Sequence, residues 1–164
     1  MERKTFDTYC PYCDVEVKAP LIVRTETHRV RGEAIVIDAT VAVCPHCGED
    51  IGDTRVDGVT LDRVYDIYRA RHNMLSTQQI KDVRARYGMS LREFSRFLGF
   101  GEQTYASYEN GSLPDELHDR MIKLASTPEG AQLLIPLAEH AISAKSLQLA
   151  RAFAYPEEGS AHES

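Results

Sequence analysis

The chain has 164 residues, of which 43% are hydrophobic and 27% charged, and its formal net charge is −6. This size suits one large or two small domains of ordinary soluble composition. The acidic total argues against indiscriminate nucleic-acid binding, and no apolar run approaches the ~20 residues of a membrane span. The segment Met1–Asp7 lacks the apolar core of a signal peptide, so we expect a cytoplasmic protein without a membrane partner.

All four cysteines fall into two CxxC pairs, Cys10-Pro-Tyr-Cys13 and Cys44-Pro-His-Cys47. Each CxxC turn places two sulfurs on one side of a tight loop, and two such loops supply the four thiolates of a tetrahedral zinc site. Disulfides are not expected in a cytosolic chain, and a redox CxxC usually opens a helix in a βαβ unit, which this region lacks. Inert core thiols would not pair so regularly. The pattern therefore predicts one structural Zn²⁺ per chain, held by Cys10, Cys13, Cys44 and Cys47.

Four thiolates leave no open coordination position, so the predicted metal is not catalytic. His46 lies inside the second CxxC turn and is interpreted as a solvent-facing loop residue rather than a ligand. No Walker loop, nucleophile elbow or pair of metal-spaced carboxylates is present, and we therefore expect that the protein is not an enzyme.

Two β-rich runs, Leu21–Val30 and Glu33–Val43, separate the cysteine pairs, with a turn at Arg31-Gly32. In the second run every other residue from Ile35 to Val43 is apolar, which is the period of a half-buried strand. A hairpin of this length returns the second CxxC to the first. Residues 1–52 are thus predicted to form a zinc-bound β module whose folding depends largely on the metal.

A connector, residues 53–75, is predicted next. Asp53–Gly58 reads as a polar, turn-rich segment, and an amphipathic helix is expected from about Thr60 to Asn73, either bridging the modules or packing on the helical domain. Its apolar positions are Leu61, Val64, Tyr65 and Tyr68.

Residues 76–154 are predicted to form an all-α domain. Ser76 with Gln79 forms a capping box that starts its first helix, which ends near Gly88. The inner face of this helix carries Ile80, Val83 and Tyr87.

A helix-turn-helix is expected directly afterwards. Ser90 with Glu93 is read as a second capping box, and Gly99 lies where a helix ends in the left-handed conformation. Phe100-Gly101 makes a tight corner before a short second helix from about Glu102 to Glu109. Tyr105 and Tyr108 are placed on the inner side of that helix, which leaves its other side to enter a major groove.

Of the three segments 1–74, 75–111 and 112–164, only 75–111 is net-positive, with five Lys or Arg against four Asp or Glu. Its cations predict a modest patch that contacts DNA phosphates. They are Lys81, Arg84, Arg86, Arg92 and Arg96.

Three further helices are expected. One starts at Pro114, with Leu117, Met121 and Leu124 facing inward; Thr127-Pro128 caps the next, and Pro136 interrupts or restarts it. The last is expected over Leu137–Phe153, with Ala141, Ala144 and Leu147 facing either a partner chain or the domain's own core. Residues 155–164 are acidic and are predicted to be a disordered tail.

The segment Leu91–Gly99, followed by Tyr108-Glu-Asn-Gly111 and Pro114, resembles the Xre, or λ-repressor-like, helix-turn-helix family. The whole order of zinc module, helix and helix-turn-helix, from about Cys10 to Leu124, resembles the MqsA-type antitoxins, whose N-terminal part is a YgiT-type zinc finger. We therefore expect an α+β, multi-domain fold, in which a four-cysteine β-hairpin module precedes an all-α domain.

This resemblance implies a repressor that dimerises and binds a palindrome in its own promoter, while the zinc module binds a protein toxin. On the family pattern, the base-reading positions of the second helix fall on Gln103 and Ser107, and Thr104 suits a phosphate contact. Arg92 and Arg96 lie on the preceding helix, where phosphate contacts are expected. Two alternatives compete with the antitoxin: an Xre-type zinc-finger regulator without a toxin, for example from a mobile element, and a zinc-containing enzyme or nuclease component.

Overall fold

A computed structural model describes residues 4–157. The chain divides between His72 and Asn73 into two compact units, each with its own hydrophobic core. Within the described residues, the first unit contains four strands and one helix, and the second contains six helices. The predicted α+β class, with a β module preceding a helical region, is confirmed.

An antiparallel sheet forms the first unit, with its strands in chain order. The strands are β1 (Thr5–Cys10), β2 (Val15–Val30), β3 (Glu33–Val43) and β4 (Asp50–Ile51). The first part of β2 pairs with β1 and the remainder with β3, so β2 begins at Val15 rather than at Leu21. The predicted turn at Arg31-Gly32 is confirmed, and both residues have positive φ, 50° and 87°, which matches the twist of a tight hairpin.

Burial along β3 alternates as predicted from Ile35 through Ala39 and then changes phase. Ala42 is buried in place of Val41 and Val43, which are only partly covered. The change occurs where Ala42 pairs with Ile51 of β4 and enters the small core around the cysteines.

The first helix, α1 (Thr54–Arg71), begins earlier than expected, and the interpretation of Asp53–Gly58 as a turn-rich connector is wrong. The Asp53 carboxylate accepts a hydrogen bond from the Arg55 N–H at 2.9 Å and caps the helix. The helix buries Val64 and Tyr68 and packs on β3 within its own unit.

Arginines from α1 also cover backbone groups of β3. Arg63 donates to the carbonyl oxygen of Asp38 at 2.8 Å, and Arg71 donates to that of Ala34 at 3.4 Å. Such contacts protect a strand edge from pairing with another chain.

The second unit contains α2 (Thr77–Tyr87), α3 (Leu91–Phe97), α4 (Thr104–Glu109), α5 (Glu116–Ala125), α6 (Pro128–Ala138) and α7 (Ala144–Ala154). The predicted capping box of Ser76 and Gln79 is confirmed in both directions, and Gly88 ends α2 at φ 69°. All three predicted inner residues of α2 are buried.

The second predicted capping box is half formed. The Ser90 hydroxyl accepts from the Glu93 N–H at 3.3 Å, but the Glu93 carboxylate accepts from the Ser143 N–H at 2.7 Å instead of returning to Ser90. Glu93 therefore connects α3 to the start of α7, a long-range use that local sequence spacing does not reveal. Gly99 has φ 76°, as its predicted helix-ending role requires.

The predicted inner face of α5 is correct for Met121, which packs against the core of the unit, and wrong for its two leucines. Leu117 and Leu124 are 66% and 37% exposed, whereas Ile122 and Ala125 are fully buried. Helix α5 is oriented so that His118, next to Leu117, faces the domain and forms a hydrogen bond with the Tyr108 hydroxyl at 2.6 Å. The leucines thus form an outer apolar stripe, not a core face.

The prediction of a single last helix over Leu137–Phe153 is also wrong. Helix α6 continues through Pro136 to Ala138, and α7 starts anew after Ser143, whose hydroxyl accepts from the Ser146 N–H at 3.2 Å. Leu147 packs against the unit's own core, while Ala141 and Ala144 are exposed.

Of the predicted tail, residues 155–157 are exposed and outside any helix, and 158–164 lie outside the described residues. No helix in the described part of the chain is long and apolar enough to cross a membrane.

Candidate metal centre and nucleic-acid interface

The four cysteines meet at one end of the β module. All four sulfur atoms lie within 4.8 Å of one another, with Cys10 and Cys47 3.8 Å apart and Cys13 and Cys44 3.9 Å apart. A tetrahedral zinc ion with Zn–S bonds of about 2.3 Å separates its sulfurs by about 3.8 Å. The residues therefore fit a four-sulfur metal centre, consistent with a structural zinc site.

The two CxxC turns have matching backbones. The Asp14 N–H donates to the Cys10 carbonyl at 2.9 Å, and the Gly48 N–H donates to the Cys44 carbonyl at 3.0 Å. Each turn closes with a left-handed residue, Asp14 at φ 59° and Gly48 at φ 78°. Glycine adopts this conformation at no steric cost, which explains why Cys47 is followed by glycine.

Backbone donors favour the thiolate at one of the four positions. The N–H groups of Cys47 and His46 point at the Cys44 sulfur and lower the pKa of that thiol to about 6. The His46 side chain is exposed, and only its backbone N–H is within 3.4 Å of Cys44. Within the described residues, no other group of three or more possible ligands comes this close together.

In the second unit, an aromatic core fixes the angle between α3 and α4. Phe94 packs edge-to-face on Tyr105 with ring centroids 4.8 Å apart, and both side chains are fully buried. The buried Ser95 hydroxyl donates to the Gly101 carbonyl at 2.5 Å and accepts from the Tyr105 N–H at 3.3 Å. The corner between the helices is therefore held by both packing and hydrogen bonds.

Glu109, the last residue of α4, pairs with Arg84 at 2.6 and 3.1 Å. Arg84 also donates to the Met89 carbonyl at 2.8 Å, and the neighbouring carboxylate raises the pKa of its guanidinium. Because Arg84 bonds to groups within the protein, the prediction that it contacts DNA phosphates is not supported. No local spacing signals this pair, because it joins α2 to the end of α4.

The predicted base-reading residues lie at the start of α4 and along it. Gln103 is exposed, directly precedes α4, and makes no side-chain capping bond. Thr104 is the first helical residue and is half-buried. The Ser107 hydroxyl donates to the Thr104 carbonyl at 2.7 Å, so it is already used within the helix.

Arg92 and Arg96 are both on the outer side of α3, with side chains 63% and 38% exposed. Both form ion pairs with Glu102, a residue that sequence reasoning missed because the pairing crosses the corner between helices. Arg92 lies 2.8 Å from one Glu102 oxygen, and Arg96 contacts the other. Arg96 also lies 3.4 Å from Glu93.

Comparison with known proteins identifies the family to which this chain is similar. A family model for MqsA, described as the antitoxin component of a bacterial toxin–antitoxin system, matches residues 8–127. None of the curated proteins matches the chain. The family match spans well over half of the sequence, from the first CxxC turn through α5, and the chain therefore belongs to the MqsA antitoxin family.

Proposed function

We propose that this protein is the antitoxin of a toxin–antitoxin operon and a repressor that binds its own promoter. The observation that carries the proposal is the joint presence, within one family match, of a four-cysteine centre and a helix-turn-helix that presents Gln103 to solvent. A major groove accepts an α-helix, and residues at the start of that helix reach the base edges.

The metal is proposed to be one Zn²⁺ per chain. The four-thiolate donor set and the tetrahedral spacing suit Zn²⁺, and the ion would join two loops that share only a small hydrophobic core. Cys10, Cys13, Cys44 and Cys47 would hold it, and its role would be structural.

A homodimer is proposed because a palindromic operator presents two equivalent half-sites to two recognition helices. The exposed leucines of α5 and α6 offer apolar surface for such contact. They are Leu117, Leu124, Leu133 and Leu137, which are 66%, 37%, 65% and 82% exposed.

The β module is proposed to bind the toxin. A small reading frame adjoining the gene, whose product is captured by this protein in its metal-bound form, would support the antitoxin role. The absence of any such frame would favour a zinc-finger regulator without a toxin.

Base recognition is assigned to Gln103, and a phosphate contact to Thr104. The Ser107 hydroxyl donates to the Thr104 carbonyl and is therefore expected to contribute little to base recognition. If Gln103 reads an adenine through N6 and N7, Gln103→Ala should weaken binding to the protein's own upstream DNA by about 1–3 kcal/mol. It should also relax the preference at one base pair in each half-site. Titration of duplexes that differ at single positions measures both effects.

Gln148 provides a matched control, because it is an exposed glutamine on α7 and belongs to neither helix of the helix-turn-helix. Gln148→Ala should leave both affinity and base preference unchanged. Unchanged binding by Gln103→Ala would instead remove Gln103 from the recognition surface and require another register for the reading helix.

A further inference from the structure

A single carboxylate, that of Glu102, bridges Arg92 and Arg96, the two arginines of α3 that the sequence predicts to contact DNA phosphates. Glu102 lies in the corner just before α4, and each of its oxygens contacts a different guanidinium. Arg92 Nη2 is 2.8 Å from Oε2, and Arg96 Nη2 contacts Oε1. The Glu102 side chain is 41% exposed, so the bridge lies at the surface where a duplex would approach.

The bridge engages Nη2 of each arginine, a donor that a DNA phosphate would also use. Guanidinium groups bind phosphate and carboxylate oxygens through the same forked N–H geometry. Arg96 and Arg92 also lower the pKa of Glu102, because the two guanidinium groups stabilise its ionised carboxylate. A duplex can therefore engage both arginines fully only by displacing Glu102.

We propose that Glu102 is an intramolecular competitor of DNA phosphates for Arg92 and Arg96, and that it lowers the affinity of the helix-turn-helix for any duplex. This inference rests on the proposed DNA-binding function. It assigns Glu102 no base contact, so its effect is independent of sequence. The competitor therefore lowers the affinity for operator and for ordinary DNA by the same factor and leaves the ratio between them unchanged.

The test uses the full chain with Glu102→Gln and Glu102→Ala, and the probe is a duplex of arbitrary sequence titrated at several salt concentrations. Both variants should bind about two- to tenfold more tightly than the wild type, the range expected for losing two exposed ion pairs. The salt dependence should steepen by up to about one unit of slope, because one opposing charge is removed. Circular dichroism melting confirms that each variant is folded.

Glu116→Gln is the matched control. Glu116 begins α5 and pairs with Arg120 at 3.4 Å, so the substitution removes the same charge from a similar exposed pair. Its affinity for the duplex should not change. If Glu116→Gln increased the affinity for the duplex as much as Glu102→Gln, the increase would reflect net charge alone, and the inference would be wrong.

A second arm combines Glu102→Ala with Arg92→Gln and Arg96→Gln. In this background Glu102→Ala should confer no gain, because its partners are absent. A persisting gain, or weaker rather than tighter binding by Glu102→Ala, would overturn the competitor role. A gain by Glu102→Gln on one sequence only would do the same, since it would reveal a new base contact by the amide.

The experiment separates this inference from the function on which it rests. If both Glu102 variants bind the duplex with the same affinity as the wild type, the inference is wrong and the proposed DNA-binding function is unaffected. No binding by any variant at low salt contradicts the proposed DNA-binding function, and the inference fails with it.

Discussion

Cys44→Ser is expected to unfold the N-terminal unit and to leave the C-terminal unit folded. Cys44 is buried, accepts two backbone hydrogen bonds and lies 3.9 Å from Cys13, so serine removes a ligand that the rest of the cluster cannot replace. Structural zinc contributes about 10–16 kcal/mol of apparent binding free energy in zinc-finger peptides, comparable with the whole stability of a small domain. The C-terminal core contains none of the cysteines.

The measurement is a two-dimensional amide NMR spectrum together with the metal content of the purified protein. Resonances of the β module should collapse to the narrow range of an unfolded chain, and those of the helical unit should persist. His46→Ser is the control, because it lies in the same turn and keeps the backbone N–H that donates to Cys44. It should retain the metal and the full spectrum; loss of metal from this variant would make His46 a ligand and contradict the four-sulfur site.

Gly130→Ala is expected to destabilise the C-terminal unit by about 3 kcal/mol or more, at the upper end of overpacking effects. A Cβ at this position would lie 1.7 Å from the Leu124 carbonyl oxygen and 2.6 Å from its carbon. These are backbone atoms, so the clash cannot be relieved by a side-chain rotation. The start of α6 would have to move away from the end of α5.

Gly58→Ala is the matched comparison. Gly58 also lies inside a helix, α1, but an added Cβ there meets no atom within 4 Å. Alanine should therefore stabilise the N-terminal unit by about 0.5–1 kcal/mol through helix propensity. Thermal or denaturant unfolding should show a lower free energy of unfolding for Gly130→Ala and a higher one for Gly58→Ala. A Gly130→Ala variant as stable as the wild type would contradict the close approach of α5 and α6.

Features encoded by neighbouring residues could be predicted from the sequence. The Ser76–Gln79 capping box, the left-handed glycines and the hairpin turn each depend on a few adjacent residues, and the structure confirms them. The paired CxxC spacing likewise predicted that four sulfurs meet, because a hairpin between two turns leaves little freedom in where they go.

Features that depend on distant partners could not be predicted. Glu93 forms half of the expected capping box because Ser143, far along the chain, competes for its carboxylate. The sequence predicts too late a start for α1, because Gly58 suggests a turn. The helix instead begins after the Asp53 cap, includes Gly58 and packs on β3. The DNA-contact residues remain proposals, and the Glu102 bridge to their arginines has no signal in local spacing.

The central proposal is that two copies of this protein bind its own promoter with α4 in the major groove. Hydroxyl-radical footprinting of the wild-type protein on its upstream DNA tests this most directly. Our account predicts two protected stretches on one face of the duplex, centred about 34 Å apart, or one helical turn. A single protected stretch, or uniform weak protection without a preferred site, would contradict it.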